Sequence, residues 1–298
     1  RNNVVYNWGQ RTTDGGANEV NFVNNYYKPG VSTKIFVALN AQHEGVGKGM
    51  QRYFFEGNIM PGYFNLKNQE KGRKFTLSNG DKTDYETFVD KPFFESHVNT
   101  QSAEAAYKNV LSDVGANQPV IDTQDQRIIN ETLKGTYSFK GSKSGLGGMI
   151  DHQNDAGGWE NYPNESRDAN WDTDQDGLPN WWEVAKGLNP NSAKGDFADA
   201  NIGTADGLTE LERYLNWLAQ PHYYVNAGEK LIFSVADYFK GYEKKPNYSF
   251  SEVNNGNAVL KGKELLFMPN KKGFASLVIS VKDSDGDTMN RLINIFVK

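Results

Sequence analysis

The first 60 residues of this 298-residue chain carry an imperfect repeat. Asn2-Asn3-Val4-Val5-Tyr6 is echoed by Asn24-Asn25-Tyr26-Tyr27, and more faintly by Gly57-Asn58-Ile59-Met60. Apolar, strand-like residues flank the copies, such as Val20, Phe22 and Val23, then Tyr53, Phe54 and Phe55. Asn3 and Asn25 stand 22 positions apart. The next interval is longer, with an insertion around Gly45-Val46-Gly47-Lys48-Gly49. A period of roughly 20 to 25 residues, with strands and an asparagine at one fixed corner, suits the rungs of a solenoid such as a parallel β-helix. Stacked asparagine side chains hydrogen-bond along such a column, and asparagine tolerates the left-handed backbone of a tight corner. An ordinary β-sheet with asparagine in its turns carries the same signature.

Further along, the periodicity changes. Ala103, Ala106, Tyr107, Val110, Leu111 and Val114 fall at helical spacing, with Ser102 as N-cap and Gly115 just past the end. A second helix is predicted from about Gln124 to Lys134, buried through Ile128, Ile129 and Leu133. Residues 135–170 are rich in Gly, Ser, Asn and Asp and read as an irregular surface segment. Trp181 to Lys186 forms a short predicted helix stopped by Gly187, and Thr209 caps another, with Leu211, Tyr214, Leu215 and Leu218 on one face. From about Pro221 the chain turns β-rich. Segments 230–235, 247–252, 258–260, 264–268, 274–282 and 291–297 suit a small sandwich of immunoglobulin type. Asp283-Ser284-Asp285-Gly286-Asp287 reads as a hairpin turn, since no Glu follows at ligand distance.

The run Asp172-Thr173-Asp174-Gln175-Asp176-Gly177-Leu178-Pro179-Asn180-Trp181-Trp182-Glu183 fits the calcium-loop pattern D-x-D-x-D-G-x5-E at every specified position. Calcium is a hard cation that takes several oxygen ligands. Asp172, Asp174 and Asp176 supply carboxylates at alternate positions, Leu178 a backbone carbonyl, and Glu183 a bidentate carboxylate. Gly177 allows the sharp turn. A degenerate second loop follows, Asp196-x-x-Asp199-x-Asn201, then Asp206-Gly207, Glu210 and Glu212. Its candidate ligands are Asp199, Asn201, Asp206 and Glu212. The residue six after Gly207 is Arg213 instead of an acid.

Composition narrows the remaining classes. The net charge is −5 with no basic block, which argues against a nucleic-acid partner. There is no cysteine, so neither disulfides nor thiolate metal sites contribute. No apolar stretch approaches the roughly 18 residues of a membrane span. The four histidines are scattered, and no serine nucleophile elbow, P-loop or dinucleotide fingerprint is present. The sequence begins as a strand already under way and shows no signal peptide, so it is expected to be a piece of a longer protein.

Arg1 to Gly9 and Asn24-Asn25-Tyr26-Tyr27-Lys28-Pro29-Gly30 resemble late rungs of pectate lyases of the polysaccharide lyase 1 type, the Bacteroidetes-like members in particular. Ala103-Glu104-Ala105-Ala106-Tyr107 with Val110, Leu111, Val114, Gly115 and Ala116 is similar to the helix that follows the coil in those enzymes. Asp122-x-x-Asp125-x-Arg127-Ile128, Asp155-Ala156-Gly157-Gly158-Trp159 and the thrombospondin type 3-like segment from Asp172 to Asn216 follow in the same order. The resemblance spans residues 1–219. It implies a right-handed parallel β-helix and calcium-dependent β-elimination of polygalacturonate, outside the cell or in the periplasm. The family's catalytic arginine and active-site calcium carboxylates match no segment here, and Arg1 is not at the catalytic position. No catalytic residue is carried over, and this polypeptide by itself is expected to be inactive.

The fold expectation is a mainly β chain in three parts. Residues 1–160 form the last rungs of a partial right-handed parallel β-helix with capping helices. Residues 161–219 form a small helical calcium-loop segment, and residues 220–298 an immunoglobulin-like β-sandwich. The expected ion is Ca2+. The expected partner of the parent protein is an acidic polysaccharide, pectin or polygalacturonate, with an N-terminal half supplied from elsewhere. Two other readings compete. One is a non-catalytic, calcium-stabilised glycan-binding or adhesion protein presenting Tyr6, Trp8, Tyr26 and Tyr27 to sugars. The other is a spacer whose calcium loops fix the angle between solenoid and sandwich.

Overall fold

A computed structural model describes residues 1–43, 50–77, 83–192 and 199–298. The glycine insertion at 45–49, part of the polar segment 78–84, and Asp196 of the second acidic loop lie outside the described residues. The chain is mainly β and divides into two compact units. One comprises Arg1–Val114 and Thr123–Glu160, the other Gly115–Asp122 and Asn161–Lys298. No helix is long and apolar enough to cross a membrane among the described residues.

In the first unit, successive strands enter three different sheets in turn. β1 (Val4–Tyr6), β2 (Thr13–Gly15) and β3 (Glu19–Val23) each start a separate sheet. β4 (Tyr26–Lys28), β5 (Leu39–His43) and β6 (Arg52–Glu56) then pair with them in parallel, one each. β7 (Arg73–Leu77) adds in parallel to β5, and β8 (Phe88–Val89) to β6. The chain therefore traverses all three sheets before returning to the first. Side chains facing inward from these strands form one apolar cluster, with Tyr27, Leu39, Ala41, Tyr53, Phe55 and Met60 nearly inaccessible.

The asparagine repeat marks the corner between β3 and β4 and its counterparts. Asn25 Oδ1 accepts from the Asn3 N–H at 3.0 Å and the Asn3 Nδ2 at 2.8 Å. Asn58 Oδ1 accepts from the Asn25 N–H at 2.9 Å and the Asn25 Nδ2 at 2.8 Å. The residue before each rung is left-handed: Asn2 at φ 55°, Asn24 at 51° and Gly57 at 70°. A Cβ at position 57 would stand 1.6 Å from Asn24 Oδ1, so glycine is required there on steric as well as backbone grounds.

Trp8 and Tyr27, read above as candidate sugar platforms, are 6% and 2% exposed. Both belong to the apolar cluster enclosed by the three sheets, and they meet edge to face with centroids 5.6 Å apart. Tyr6 and Tyr26 are half-buried; the Tyr6 hydroxyl donates to the Thr136 carbonyl at 2.6 Å, and the Tyr26 ring lies 4.4 Å from that of Tyr107.

α1 (Ala103–Asp113) starts at Ser102, whose hydroxyl accepts from the Ala105 N–H at 3.1 Å. Lys28 reaches across to donate to the Tyr107 hydroxyl and the Leu133 carbonyl, both at 2.9 Å. α2 (Thr123–Lys134) departs from the expected face. Ile129 is buried and Leu133 half-buried, but Ile128 is 50% exposed, while Glu131 and Thr132 turn inward. Glu131 belongs there because it pairs with Arg127 at 3.1 Å and accepts the Ser138 N–H at 2.8 Å.

The second unit holds α3 (Asn180–Lys186), α4 (Glu210–Ala219) and two sheets. Its strands are β9 (His222–Val225), β10 (Leu231–Ser234), β11 (Asn247–Asn254), β12 (Gly256–Lys261), β13 (Glu264–Pro269), β14 (Gly273–Lys282) and β15 (Thr288–Val297). One sheet runs β11-β14-β15-β9, the other β10-β13-β12. Both contribute to a single apolar core that includes Phe233, Leu265, Phe267, Leu277, Ile279, Ile293 and Ile295. The expected strands are present; β9 is additional and pairs with β15 in parallel. On α4, Leu215 faces solvent at 53% exposure, and Trp217 takes the inward position.

Candidate metal centre

The acidic loop from Asp172 belongs to the second unit and runs into α3. Its backbone is held in shape by its own carboxylates. Asp172 Oδ1 accepts from the Gln175 N–H at 2.8 Å and Oδ2 from the Gly177 N–H at 3.0 Å. Gly177 sits at φ 99°, a conformation that residues with a Cβ rarely adopt. Asp174 Oδ2 accepts from both the N–H (2.9 Å) and the hydroxyl of Ser192. Asp176 Oδ1 accepts from the Leu178 N–H at 2.8 Å and Oδ2 from the Ala200 N–H at 3.0 Å. The Leu178 side chain, fully buried with Trp182, Tyr214 and Trp217, anchors the middle of the loop in an apolar cluster.

Glu183 lies in the first turn of α3. Its side chain is fully buried, with Asp176 at 1% and Asp174 at 3% exposure. Neither Glu183 carboxylate oxygen has a hydrogen-bond partner, and neither has Asp174 Oδ1. One oxygen each from Asp172, Asp174 and Asp176 lie within 4.8 Å of one another. Burial pushes the Glu183 carboxyl up to about 7, and the charges of Asp174, Asp176, Asp199 and Asp172 add to the effect. Burial also raises Asp176, against the opposing hydrogen bond from Leu178 and with reinforcement from the charge of Asp174. Among the described residues, no lysine or arginine forms an ion pair with any of the four carboxylates.

Burying carboxylates without counter-charge is costly, and buried charges are normally paired or bound to metal. Here the unpartnered Glu183 carboxylate feels the charge of Asp174, whose Oδ1 is unpartnered too. The donor set is all oxygen, which suits a hard cation and not a thiophilic or imidazole-seeking metal. Three alternate aspartates, a carbonyl at the seventh position and a glutamate at the twelfth are what a calcium loop presents. The residues fit the ion.

The second acidic set is arranged differently. Asp199 Oδ2 accepts from the Asn189 N–H at 2.8 Å, and its charge acts on Glu183. Asn201 is exposed. Asp206 is claimed by its neighbours: it accepts from the Thr204 hydroxyl, from Arg213 Nε and Nη2 at 3.2 and 3.0 Å, and from the Leu208 N–H at 3.2 Å. The hydrogen bonds from Thr204 and Arg213 hold its carboxyl at about 2. Glu212 Oε2 accepts from the N–H and hydroxyl of Thr209 at 2.7 and 3.0 Å, closing a capping box at the start of α4. Among the described residues, Asp199, Asp206 and Glu212 join no group of three converging histidine, cysteine or acidic ligand atoms, and neither does Glu183.

The turn Asp283–Asp287 joins β14 to β15 as a hairpin, and one oxygen each from Asp283, Asp285 and Asp287 also lie within 4.8 Å of one another, as in the first loop. Asp283 Oδ1 accepts from the N–H groups of Asp285 and Asp287, and Lys244 pairs with Asp285 at 2.9 Å. Sequence reasoning missed Ser192 and Ala200 as braces of the first loop, because backbone amides leave no residue-type signal. Glu210, placed by sequence in the degenerate second loop, is buried and bonded to Trp182 Nε1 at 3.4 Å and Arg213 Nη1 at 3.5 Å. No protein-family model matches this sequence, and no curated protein matches it either.

Proposed function

We propose that this chain is the non-catalytic, calcium-stabilised C-terminal part of a secreted pectate lyase. In this reading one structural Ca2+ is held by Asp172, Asp174, Asp176, the Leu178 carbonyl and Glu183. The strands of the first unit are the last coils of a right-handed parallel β-helix, and residues 222–298 are an immunoglobulin-like sandwich. Two observations carry the ion: the convergence of Asp172, Asp174 and Asp176, and the buried Glu183 carboxylate, which has no donor and feels the charge of those aspartates. The coil reading is supported by parallel pairing in three sheets and by the asparagine column at one corner. The lyase assignment itself rests on the order of the resembling segments.

The elimination removes a proton beside a carboxylate, so charge builds on a group already anionic. A calcium ion on that carboxylate offsets the build-up, and a basic side chain takes the proton. No residue of this chain is assigned to those steps. Its share is to close and brace the coil, with calcium compensating carboxylates that the fold has stripped of water.

Two measurements test this. Calcium titration of the chain by calorimetry should give one site, abolished by Glu183→Ala; a wild-type chain without such a site overturns the structural ion. For the lyase reading, the full-length parent should cleave polygalacturonate in calcium, followed by the ultraviolet absorbance of the unsaturated product. A parent that gives no absorbance rise overturns it.

A further inference from the structure

We propose that Ser192, which lies 18 positions beyond Asp174 and outside the twelve-residue loop, positions Asp174 for calcium. This role rests on the calcium reading above and extends that site to a residue the loop pattern does not contain. The three aspartates of the loop are held in different ways. Asp172 takes both of its donors from the loop itself, the Gln175 and Gly177 N–H groups. Asp176 takes one from the loop, Leu178, and one from Ala200. Asp174 takes none from the loop: among the described residues its donors are the N–H of Ser192 at 2.9 Å and the Ser192 hydroxyl, both on Oδ2.

An ionised carboxylate oxygen has about two acceptor positions, and the Ser192 donors fill both on Oδ2. Oδ1 has no hydrogen-bond partner, although Asp174 is only 3% exposed. The carboxylate therefore presents one committed oxygen and one open oxygen, and Oδ1 is the atom this residue offers to the ion. The last torsion of an aspartate is broad and nearly two-fold, so the side chain alone does not choose between its oxygens. Two donors on one of them make that choice before an ion arrives. Hydrogen-bond partners of ligating carboxylates orient them in this way, and their loss typically costs roughly 10–100-fold in metal affinity.

Ser192 also closes a turn after α3, and the two roles separate by atom. Its N–H is shared between Asp174 and the Asn189 carbonyl, the latter at 3.1 Å. Its hydroxyl donates to Asp174 and to no other group among the described residues. A substitution that removes the hydroxyl leaves the backbone donor in place, so it probes the positioning role and not the turn.

The test is calorimetric titration of the whole chain with calcium, together with thermal melting in saturating calcium and in chelator. Ser192→Ala should weaken calcium binding about tenfold, and it should lower the melting temperature more in calcium than in chelator. Ser192→Thr keeps a hydroxyl and Ser192→Val does not, at nearly equal size. Ser192→Thr should recover most of the calcium affinity and Ser192→Val should not. If those two variants bind calcium equally tightly, or if Ser192→Ala keeps wild-type calcium affinity and lowers both melting temperatures equally, the hydroxyl serves only the fold. Either result overturns the positioning role while the calcium reading stands. A wild-type chain that takes no calcium overturns the reading above, and this role with it.

Discussion

Glu183 is the residue on which the proposed calcium centre turns. A buried carboxylate without donors favours its neutral form, and the charges of four aspartates strengthen that preference. Its value in the folded, calcium-free chain is raised above the ordinary 4.5 to about 7. A raised carboxyl adds stability below its unfolded value and loses it as pH rises through the folded one. Calcium-free protein should therefore melt at progressively lower temperature from pH 5 to 8. A flat profile in chelator would contradict the assignment. Glu183→Gln should raise the calcium-free melting temperature at pH 8 and lower the calcium-saturated one, because the same charge costs stability without the ion and contributes it with the ion. Asp206 behaves in the opposite sense: its lowered carboxyl contributes stability above the ordinary value of 3.8 and loses it progressively as pH falls from there through about 2.

At the scale of elements, the asparagine column is the firmest prediction. Asn25 is its middle member, accepting two hydrogen bonds from Asn3 and donating two to Asn58. Asn25→Ala leaves the Asn3 donors without an acceptor and should cost about 2–3 kcal/mol in chemical denaturation. Asn25→Asp should cost more, since it sets an anionic oxygen against Asn58 Oδ1. Equal stability of all three proteins would show that the column does not support the fold. This column was legible in the sequence because one residue type recurs at one corner and its side chain does the bonding. α1, α3 and α4 were legible from caps and stops. The inward face of α2 was not, because a paired Glu131 outcompeted an apolar Ile128, and pairing leaves no periodic trace. Glu212 was ambiguous for a related reason. Thr209-x-x-Glu212 reads both as an acid at ligand spacing and as a capping box, and only the hydrogen bonds from Thr209 separate the two. The acidic loop needed no such arbitration, since its four carboxylate positions and its glycine are explicit in residue type.

For the molecule as a whole, the two compact units should respond to different perturbations. Calcium at a hundredfold excess over its dissociation constant stabilises the state that binds it by about 2.7 kcal/mol. In scanning calorimetry that increment should move the transition of the unit containing residues 161–298 and leave the other in place. Asn25→Ala should do the reverse. A single transition shifted by both would show that the units unfold as one.

The column of asparagines has a direction. At one end Gln69 closes it, its Oε1 accepting from the Asn58 N–H at 3.0 Å and its Nε2 donating to the Asn58 carbonyl at 2.7 Å. At the other end Asn3 has already spent its donors on Asn25, while its own Oδ1 accepts no hydrogen bond among the described residues. Such an array behaves like a polymer with one blocked terminus. Lengthening it past Gln69 would first require removing that stopper and replacing both of its hydrogen bonds to Asn58.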